Sequence, residues 1–267
     1  MLVLFIGEGC MRCGGGVLAL VGLAVALAAC DSDDTLEPGG GQGGPTPISV
    51  VRASGDLTGA LTEFRGALGE PANGGGAGPQ SAGRREIRWD GVPADLTNTD
   101  AFPSDGFRNA GLITTTDGIG TRVSDNDFAD INPTYGEEFE SFSKVKTFMA
   151  AGSAHMTLTF RLAGTDTEAV VSGIGIVFSD VDRDGAASIT LYALDDTNLG
   201  EYVVPVRTDA NGHSFVGVAF DQAIIGRVEV RSGEAALSAE TNDVSDDGTH
   251  DLVVTDDFLF GEPQLPS

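Results

Sequence analysis

From Arg85 onward, most of this chain consists of short apolar segments separated by turn sequences. The segments include HMTLTFRLA (155–163), ASITLYALD (187–195) and SFVGVAFD (214–221). Their period-two alternation indicates β-strands with one buried face. The intervening DRDGA, TDANGH and SDDGTH have turn chemistry. About ten such strands with little helix between them predict an all-β fold, an antiparallel β-sandwich or barrel.

One short helix is predicted before these strands. Leu57, Leu61, Phe64 and Leu68 recur at helical spacing, Asp56 stands at a plausible N-cap, and a glycine follows at residue 69. A Gly-rich stretch over 70–83 reads as a loop. No repeat of fixed period is present, so the sequence predicts a single β-sandwich domain over 48–267.

The charge balance excludes some classes of partner. Lys and Arg number 15 against 40 Asp and Glu, a formal net charge of -25. Such a surface repels nucleic acid and anionic lipid, so neither is expected as an electrostatic partner. A hydrophobic fraction of 41% still supports a folded core.

The beginning of the chain is typical of a secretory leader. The run VLALVGLAVAL (17–27) has the length of a signal-peptide apolar region and is too short to span a bilayer. Arg12 supplies the positive charge that precedes such a run, and translation is expected to start at Met11. We therefore assign 1–29 to a signal peptide. Cys10 and Cys13 form a CxxC motif inside it, but no βαβ pattern follows, which argues against redox chemistry.

The end of this run, Leu27-Ala28-Ala29-Cys30, resembles the lipobox of bacterial lipoproteins. In that family the cysteine receives a diacylglycerol, the leader is cut before it, and the new terminus is acylated with fatty acids such as palmitate. The resemblance implies lipidation of Cys30, and two or more acyl chains anchor a protein stably to a membrane. Ordinary signal-peptide cleavage near Ala28 or Ala29 and an uncleaved membrane helix are the alternatives.

The residues after Cys30 indicate a tether and a location. The stretch DSDDTLEPGGGQGGPTP (31–47) has almost nothing to bury, so 30–47 is predicted to be a lipidated, disordered tether. The acid at Asp31 resembles an inner-membrane retention signal of some Gram-negative bacteria. We expect an extracytoplasmic protein on the outer leaflet of the inner membrane or at the cell surface. No cysteine follows Cys30, so the rest of the chain has no disulfide or thiolate zinc site.

The sharpest motif for chemistry is SDVDRDG (179–185). Asp180, Asp182 and Asp184 alternate ahead of Gly185, an arrangement that can wrap carboxylates around calcium. Leu191 occupies the twelfth position, where an EF-hand requires an acid, and strands rather than helices flank the motif. The sequence therefore predicts either a calcium loop on a β-hairpin or a solvated polar turn.

A second acidic motif interrupts the last strand, VVTDDFLF (253–260). Alternation would place one of Asp256 and Asp257 on the inner face, where an unpaired charge is costly. Calcium ligation and a hydrogen-bonded structural carboxylate are equally good explanations.

Catalytic motifs are sparse. The chain has neither HExxH nor GxSxG, and its 3 histidines are scattered. Glu137 and Glu138 would point in opposite directions on a strand, which argues against a glycosidase pair. We therefore expect a protein that is not an enzyme.

The body of the chain, roughly 84–263, resembles secreted bacterial β-sandwich proteins that often carry PEP-CTERM sorting tails. The motifs FSDVD, SFVGVAFD and DDFLFGEP carry this resemblance. The wider fold is similar to jelly-roll carbohydrate-binding and galactose-binding-like domains, whose final strand often carries an Asp-Asp pair near calcium. This implies Asp256 or Asp257 as a ligand. The sorting tail itself is absent, and the lipid at Cys30 would serve as the anchor instead.

These features favour a non-catalytic, lipid-anchored binding protein of the cell envelope that recognises glycan or envelope material and has calcium-stabilised loops. The chain has few aromatic residues that could stack on a glycan, with 1 Trp and 3 Tyr. Trp89 alternates with Ile87, as a core residue would. The alternatives are a structural or protein-interaction lipoprotein without a small ligand and, third, a hydrolase.

Overall fold

Two antiparallel β-sheets make up the computed structural model, which describes residues 44–76, 78–209 and 211–267. The first sheet has seven strands: β1 (Ser49–Ser54), β2 (Arg84–Ile87), β4 (Gly120–Ser124), β5 (Thr147–Ala151), β8 (Gly173–Ser179), β11 (His213–Ala219) and β13 (Val254–Gly261). The second has six: β3 (Leu112–Thr116), β6 (His155–Arg161), β7 (Glu168–Ala169), β9 (Ala187–Tyr192), β10 (Asn198–Val203) and β12 (Arg227–Ser232).

The strand order confirms the predicted all-β sandwich. The first sheet runs β1-β11-β8-β13-β5-β4, with β2 on β13, and the second runs β10-β9-β12-β6-β3, with β7 on β6. The main core lies between them, where Ile176 and Phe178 from β8 pack in one cluster with Leu158, Ile189 and Val228 from the second sheet. The alternation of HMTLTFR marked the buried face of β6 correctly, whereas β11, in SFVGVAFD, is buried on both faces.

The predicted signal peptide (1–29) and the lipidation site Cys30 lie outside the described residues, as does most of the predicted tether. Within the described part of the chain, no helix has the length and apolar character needed to cross a membrane.

The predicted helix is present as α1 (Thr58–Leu68) and covers the outer face of the first sheet. The Asp56 carboxylate accepts a hydrogen bond from the N–H of Thr58, and Gly69 ends the helix with a positive φ of 88°. Because α1 covers this face, both faces of β8 are buried. A second, single-turn helix that the sequence did not predict, α2 (Tyr135–Glu138), lies near one end of the first sheet.

Two glycines make room for α1. An added Cβ at Gly175 would lie 2.5 Å from a ring carbon of Phe64, and one at Gly217 would lie 2.7 Å from another. Phe64 is fully buried and meets Phe215 edge to face, with ring centroids 5.4 Å apart. The close approach of helix and sheet therefore depends on the absence of side chains at these positions.

Trp89 is a core residue, as its alternation with Ile87 predicts. Its ring stacks on Phe148 with centroids 3.8 Å apart, and its Nε1 donates to the backbone carbonyl of Asp256 at 2.8 Å. The side chain is fully buried and offers no platform for a ligand.

Gly217→Ala should lower the free energy of unfolding by about 1–3 kcal/mol, since the new methyl group overpacks the contact with Phe64. Gly66→Ala, on the exposed face of α1 with open space around it, should instead raise that free energy by roughly 0.5–1 kcal/mol. Urea unfolding of both variants measures the difference. Equal effects would contradict the glycine-dependent docking of α1.

Candidate metal centre

Buried carboxylates from separate segments meet at one end of the first sheet. Asp180 follows the last residue of β8, Glu138 ends α2, and Asp243 and Asp251 lie in the connection before β13. At this end of the sheet, Ser179 of β8 pairs with His213 of β11 on one side and with Val254 of β13 on the other.

Asp180 is the most constrained of these acids. Its φ of 66° is positive, a conformation that Asp tolerates better than most residues, and its N–H donates to the carbonyl of Gly212 at 2.8 Å. The residue is only 1% exposed, yet neither carboxylate oxygen has a hydrogen-bond partner among the described residues. An ionised carboxylate that is buried without a partner is energetically costly, so this position calls for a neutralising proton or cation.

Two other acids face Asp180. One carboxylate oxygen from each of Glu138, Asp180 and Asp243 lies within 4.8 Å of the others. Because Ca²⁺–oxygen distances are about 2.3–2.6 Å, two ligands of one ion lie at most about 5 Å apart. The three oxygens therefore have the spacing that a single calcium ion can bridge.

Hydrogen bonds hold the partners of Asp180 in place. Asp243 accepts from the N–H of Leu252 at 2.6 Å and from the N–H of Ser245 at 2.7 Å. The hydroxyl of Ser245, an exposed residue, lies within hydrogen-bond distance of Glu138 Oε2 (2.6 Å) and Asp243 Oδ2 (2.8 Å). Ser245 thus marks the outer side of the cluster and ties two of its acids together.

Asp251 and Asp182 add negative charge beside the triad. Asp251 Oδ2 accepts the N–H groups of Asp182 and Arg183 at 2.9 and 2.6 Å, while its buried Oδ1 has no partner in the described chain. Burial raises the pKa of Asp251 to about 7, although the N–H bond from Arg183 opposes the rise. The Arg183 guanidinium pairs with Glu234 at 2.7 Å, outside the triad.

Burial and the crowding of acids raise the pKa of Asp180. Burial, followed by the charges of Asp243 and Asp182, raises the pKa of Asp180 to about 9. Burial also raises the pKa values of Glu138 and Asp182, with the charge of Asp243 acting in the same direction. In the absence of a cation, Asp180 is therefore protonated at neutral pH.

The acids of the predicted calcium loop (179–185) differ in how close they lie to the triad of Glu138, Asp180 and Asp243. The flanking elements of this loop are strands, as expected, and Asp180 enters the triad. Asp182 is half-buried beside it, while Asp184 is exposed at the tip of the turn. Asp180 is the one acid of this motif in the metal-ligand group found among the described residues, where its partners are Glu138 and Asp243.

The second predicted acidic pair lies elsewhere. Asp256 Oδ2 accepts the N–H groups of Phe142 and Ser143 at 2.5 and 3.2 Å, and Asp257 Oδ1 accepts the Ser143 hydroxyl at 2.5 Å. Neither residue belongs to the metal-ligand group found among the described residues. Burial raises the pKa values of both carboxyls, and the neighbouring Asp257 contributes to the rise at Asp256.

The expectation that Asp256 and Asp257 alternate between faces is wrong. The register between β13 and β8 shifts between Thr255 and Phe258, which is the mark of a β-bulge. The irregularity brings both carboxylates to the same segment, and both are buried. Strand β5 begins only at Thr147, and the N–H groups of Phe142 and Ser143 ahead of it bond to Asp256.

Glu138, Asp243 and Asp251 were missed by sequence reasoning. Glu138 was dismissed on the premise of a strand, but it ends a helix; Glu138 is buried while Glu137 is exposed. Asp243 and Asp251 stand on either side of SDDGTH (245–250), which was interpreted only as a turn. The one available signal was the density of acids in NDVSDDGTHD (242–251).

Comparisons with protein-family models, with curated proteins and with solved structures found no significant match. The chemistry of this centre therefore depends on its own donor set. That set consists of carboxylates alone, and hard, oxygen-preferring cations suit it better than zinc, which favours nitrogen and sulfur.

In EDTA, raising the pH from 5 to 8 should destabilise the domain, and the Asp180 carboxyl alone should contribute roughly 1 kcal/mol per pH unit to this loss. The native Asp180 carboxyl holds its proton up to about pH 9, whereas the unfolded chain loses it near the ordinary value of 3.8. A raised carboxyl pKa therefore contributes stability at low pH that is lost as the pH rises.

Urea unfolding between pH 5 and pH 8 measures how steeply the free energy of unfolding falls with pH. Asp180→Asn should reduce this slope, because an amide cannot ionise, while Asp166→Asn, at a carboxylate that is 85% exposed, should not. A slope that is unchanged in Asp180→Asn would show that the buried carboxyl does not titrate as described.

Proposed function

We propose that this protein is a calcium-binding, non-catalytic β-sandwich. In this proposal it is displayed outside the cytoplasm of a bacterium, anchored by lipid at Cys30, and recognises glycan or other envelope material. The observation that carries the calcium assignment is the Asp180 carboxylate, which is buried, has no hydrogen-bond partner among the described residues and faces Glu138 and Asp243. The lipid anchor is supported by the motif Leu27–Cys30.

Calcium suits the centre better than magnesium. Calcium accepts six to eight oxygen ligands in irregular arrangements, while magnesium requires near-octahedral geometry and retains its water. The three carboxylates come from segments far apart in the chain, and Asp182 and the free Oδ1 of Asp251 lie close by. This set of carboxylates carries much negative charge and can adapt to the irregular coordination that calcium accepts.

The role of the ion would be to hold loops together. Glu138, Asp180 and Asp243 belong to three segments that meet at one end of the first sheet, and in the absence of an ion the charges of Asp243 and Glu138 repel an ionised Asp180 and keep it protonated. A bound cation would replace this repulsion with attraction and fix the loops for presentation. A buried centre of this kind favours a structural role over catalysis.

Calcium at 10 mM should raise the melting temperature of the chain by roughly 3–10 °C. Weak extracytoplasmic sites have Kd values on the order of 10⁻⁴ to 10⁻³ M, so this concentration corresponds to roughly 1–3 kcal/mol of stabilisation. Asp180→Asn should abolish most of the shift, and Asp166→Asn should preserve it. Differential scanning calorimetry measures both.

Two comparisons sharpen this test. Asp256→Asn should keep most of the calcium-induced rise in melting temperature, since the Asp256 carboxylate already accepts two backbone N–H groups. Loss of that rise in Asp256→Asn would mean that calcium binds at the Asp256–Asp257 pair instead. Equal shifts from calcium, magnesium and sodium at matched ionic strength would mean charge screening and would overturn the calcium assignment.

Cys30→Ala should move the protein from the detergent phase to the aqueous phase in Triton X-114 partitioning, because the acyl chains attach through that thiol. Mass spectrometry of the wild-type protein should find a mature terminus at an acylated Cys30. A mature terminus elsewhere, or a variant that still partitions into detergent, would contradict the anchor.

A further inference from the structure

Arginines line a cleft between α1, β2 and the residues that precede β2. The cleft has a volume of about 670 Å³, and Arg65, Arg84 and Arg88 form its charged wall around Glu86. Volumes of about 300–1,000 Å³ are typical of small-molecule sites. In a chain with 15 cationic and 40 acidic side chains, three arginines on one wall form a local concentration of cationic groups.

One carboxylate, that of Glu86, accepts hydrogen bonds from all three guanidinium groups. Glu86 accepts from Arg65 at 2.9 and 3.1 Å, from Arg84 at 3.1 Å and from Arg88 at 3.2 Å. Burial opposes ionisation of Glu86, but the bonds from Arg65 and Arg84 outweigh it and lower its pKa. Its charge is thus covered by guanidinium groups. Glu70 also pairs with Arg84, at 2.6 Å, so the donors that stay available belong to Arg65 and Arg88.

Donors remain for a ligand. The Arg88 side chain is 53% exposed, and its closest other acid is Asp257, 3.7 Å from Nε. The Nη1 groups of Arg65 and Arg88 donate to no protein group in the described chain. A guanidinium held by one carboxylate is pre-organised to bind a second through its remaining N–H groups.

The rest of the cleft is apolar or open. Phe107 is half-buried and contributes apolar surface, whereas Ile87 beside it is buried in the core. Gly74 and Gly75 also line the cleft, where an added Cβ would meet nothing within 4 Å. A ligand that fits must therefore combine carboxylates with a partly apolar body. Sugar rings that carry carboxylates have this combination, while inorganic anions lack the body.

We propose that this cleft binds an acidic saccharide, whose uronate carboxylates pair with Arg65 and Arg88 while a sugar ring lies over Phe107. The inference rests on the glycan-binding part of the proposed function, for which it names the ligand class, and it is independent of calcium. Because the chain is acidic overall, recognition depends on contacts closer than the Debye length of about 8 Å at physiological salt.

The test is isothermal titration of the full chain with a β-1,4-linked trimer of glucuronic acid, in EDTA, with the matching trimer of glucose and inorganic phosphate as comparison ligands. The uronate trimer should bind saturably, at least tenfold more tightly than either comparison ligand. Arg88→Gln should weaken its binding at least tenfold, whereas Arg52→Gln, an exposed arginine on β1, should leave it unchanged.

Each other outcome overturns the inference in a distinguishable way. Equal binding of the glucose trimer would leave glycan recognition standing but remove the requirement for acid. Equal binding of phosphate would reduce the cleft to a simple anion site. Absence of uronate binding, or binding unchanged by Arg88→Gln, would remove the cleft as its site. None of these results bears on the calcium-dependent melting shift.

Discussion

The buried carboxylate of Asp180 is the constraint on which one end of this sandwich depends. The residue is only 1% exposed, and its carboxylate has neither a hydrogen-bond partner nor a counter-ion among the described residues, while other acids surround it. In a medium of low polarity such a charge cannot persist alone. It must be neutralised by a proton or shared with a cation, and the two states compete for the same oxygens. The loops that carry Glu138, Asp243 and Asp251 depend on which state prevails.

Much of the fold could be predicted because local patterns and tertiary burial agree. The alternation in HMTLTFR and ASITLY matches the strands β6 and β9, and the spacing of Leu61, Phe64 and Leu68 matches the buried face of α1. The strands β1 and β4 were missed because SVVRAS and GTRVS are short and mostly polar. Pairing with β11 and β5 makes them strands, and that pairing is non-local.

The candidate site was only partly predictable for the same reason. Asp180 stands in a motif with metal-binding spacing, but its partners come from positions 138 and 243, and no local pattern links them. The bulge at Asp256 and Asp257 likewise arises from contacts with Phe142 and Ser143, more than a hundred residues earlier in the chain. The composition also does not show where the charges lie in the fold. Acids gather at one end of the first sheet, and arginines gather around Glu86.

Proton release during calcium binding tests the central claim most directly. If calcium displaces the proton of Asp180, titration calorimetry at pH 7 in buffers of different ionisation enthalpy should show about one proton released per calcium ion bound. The Asp180→Asn variant should show neither this release nor binding of comparable affinity. Calcium binding with a heat that is independent of the buffer would contradict the account, as would the absence of saturable binding at millimolar calcium.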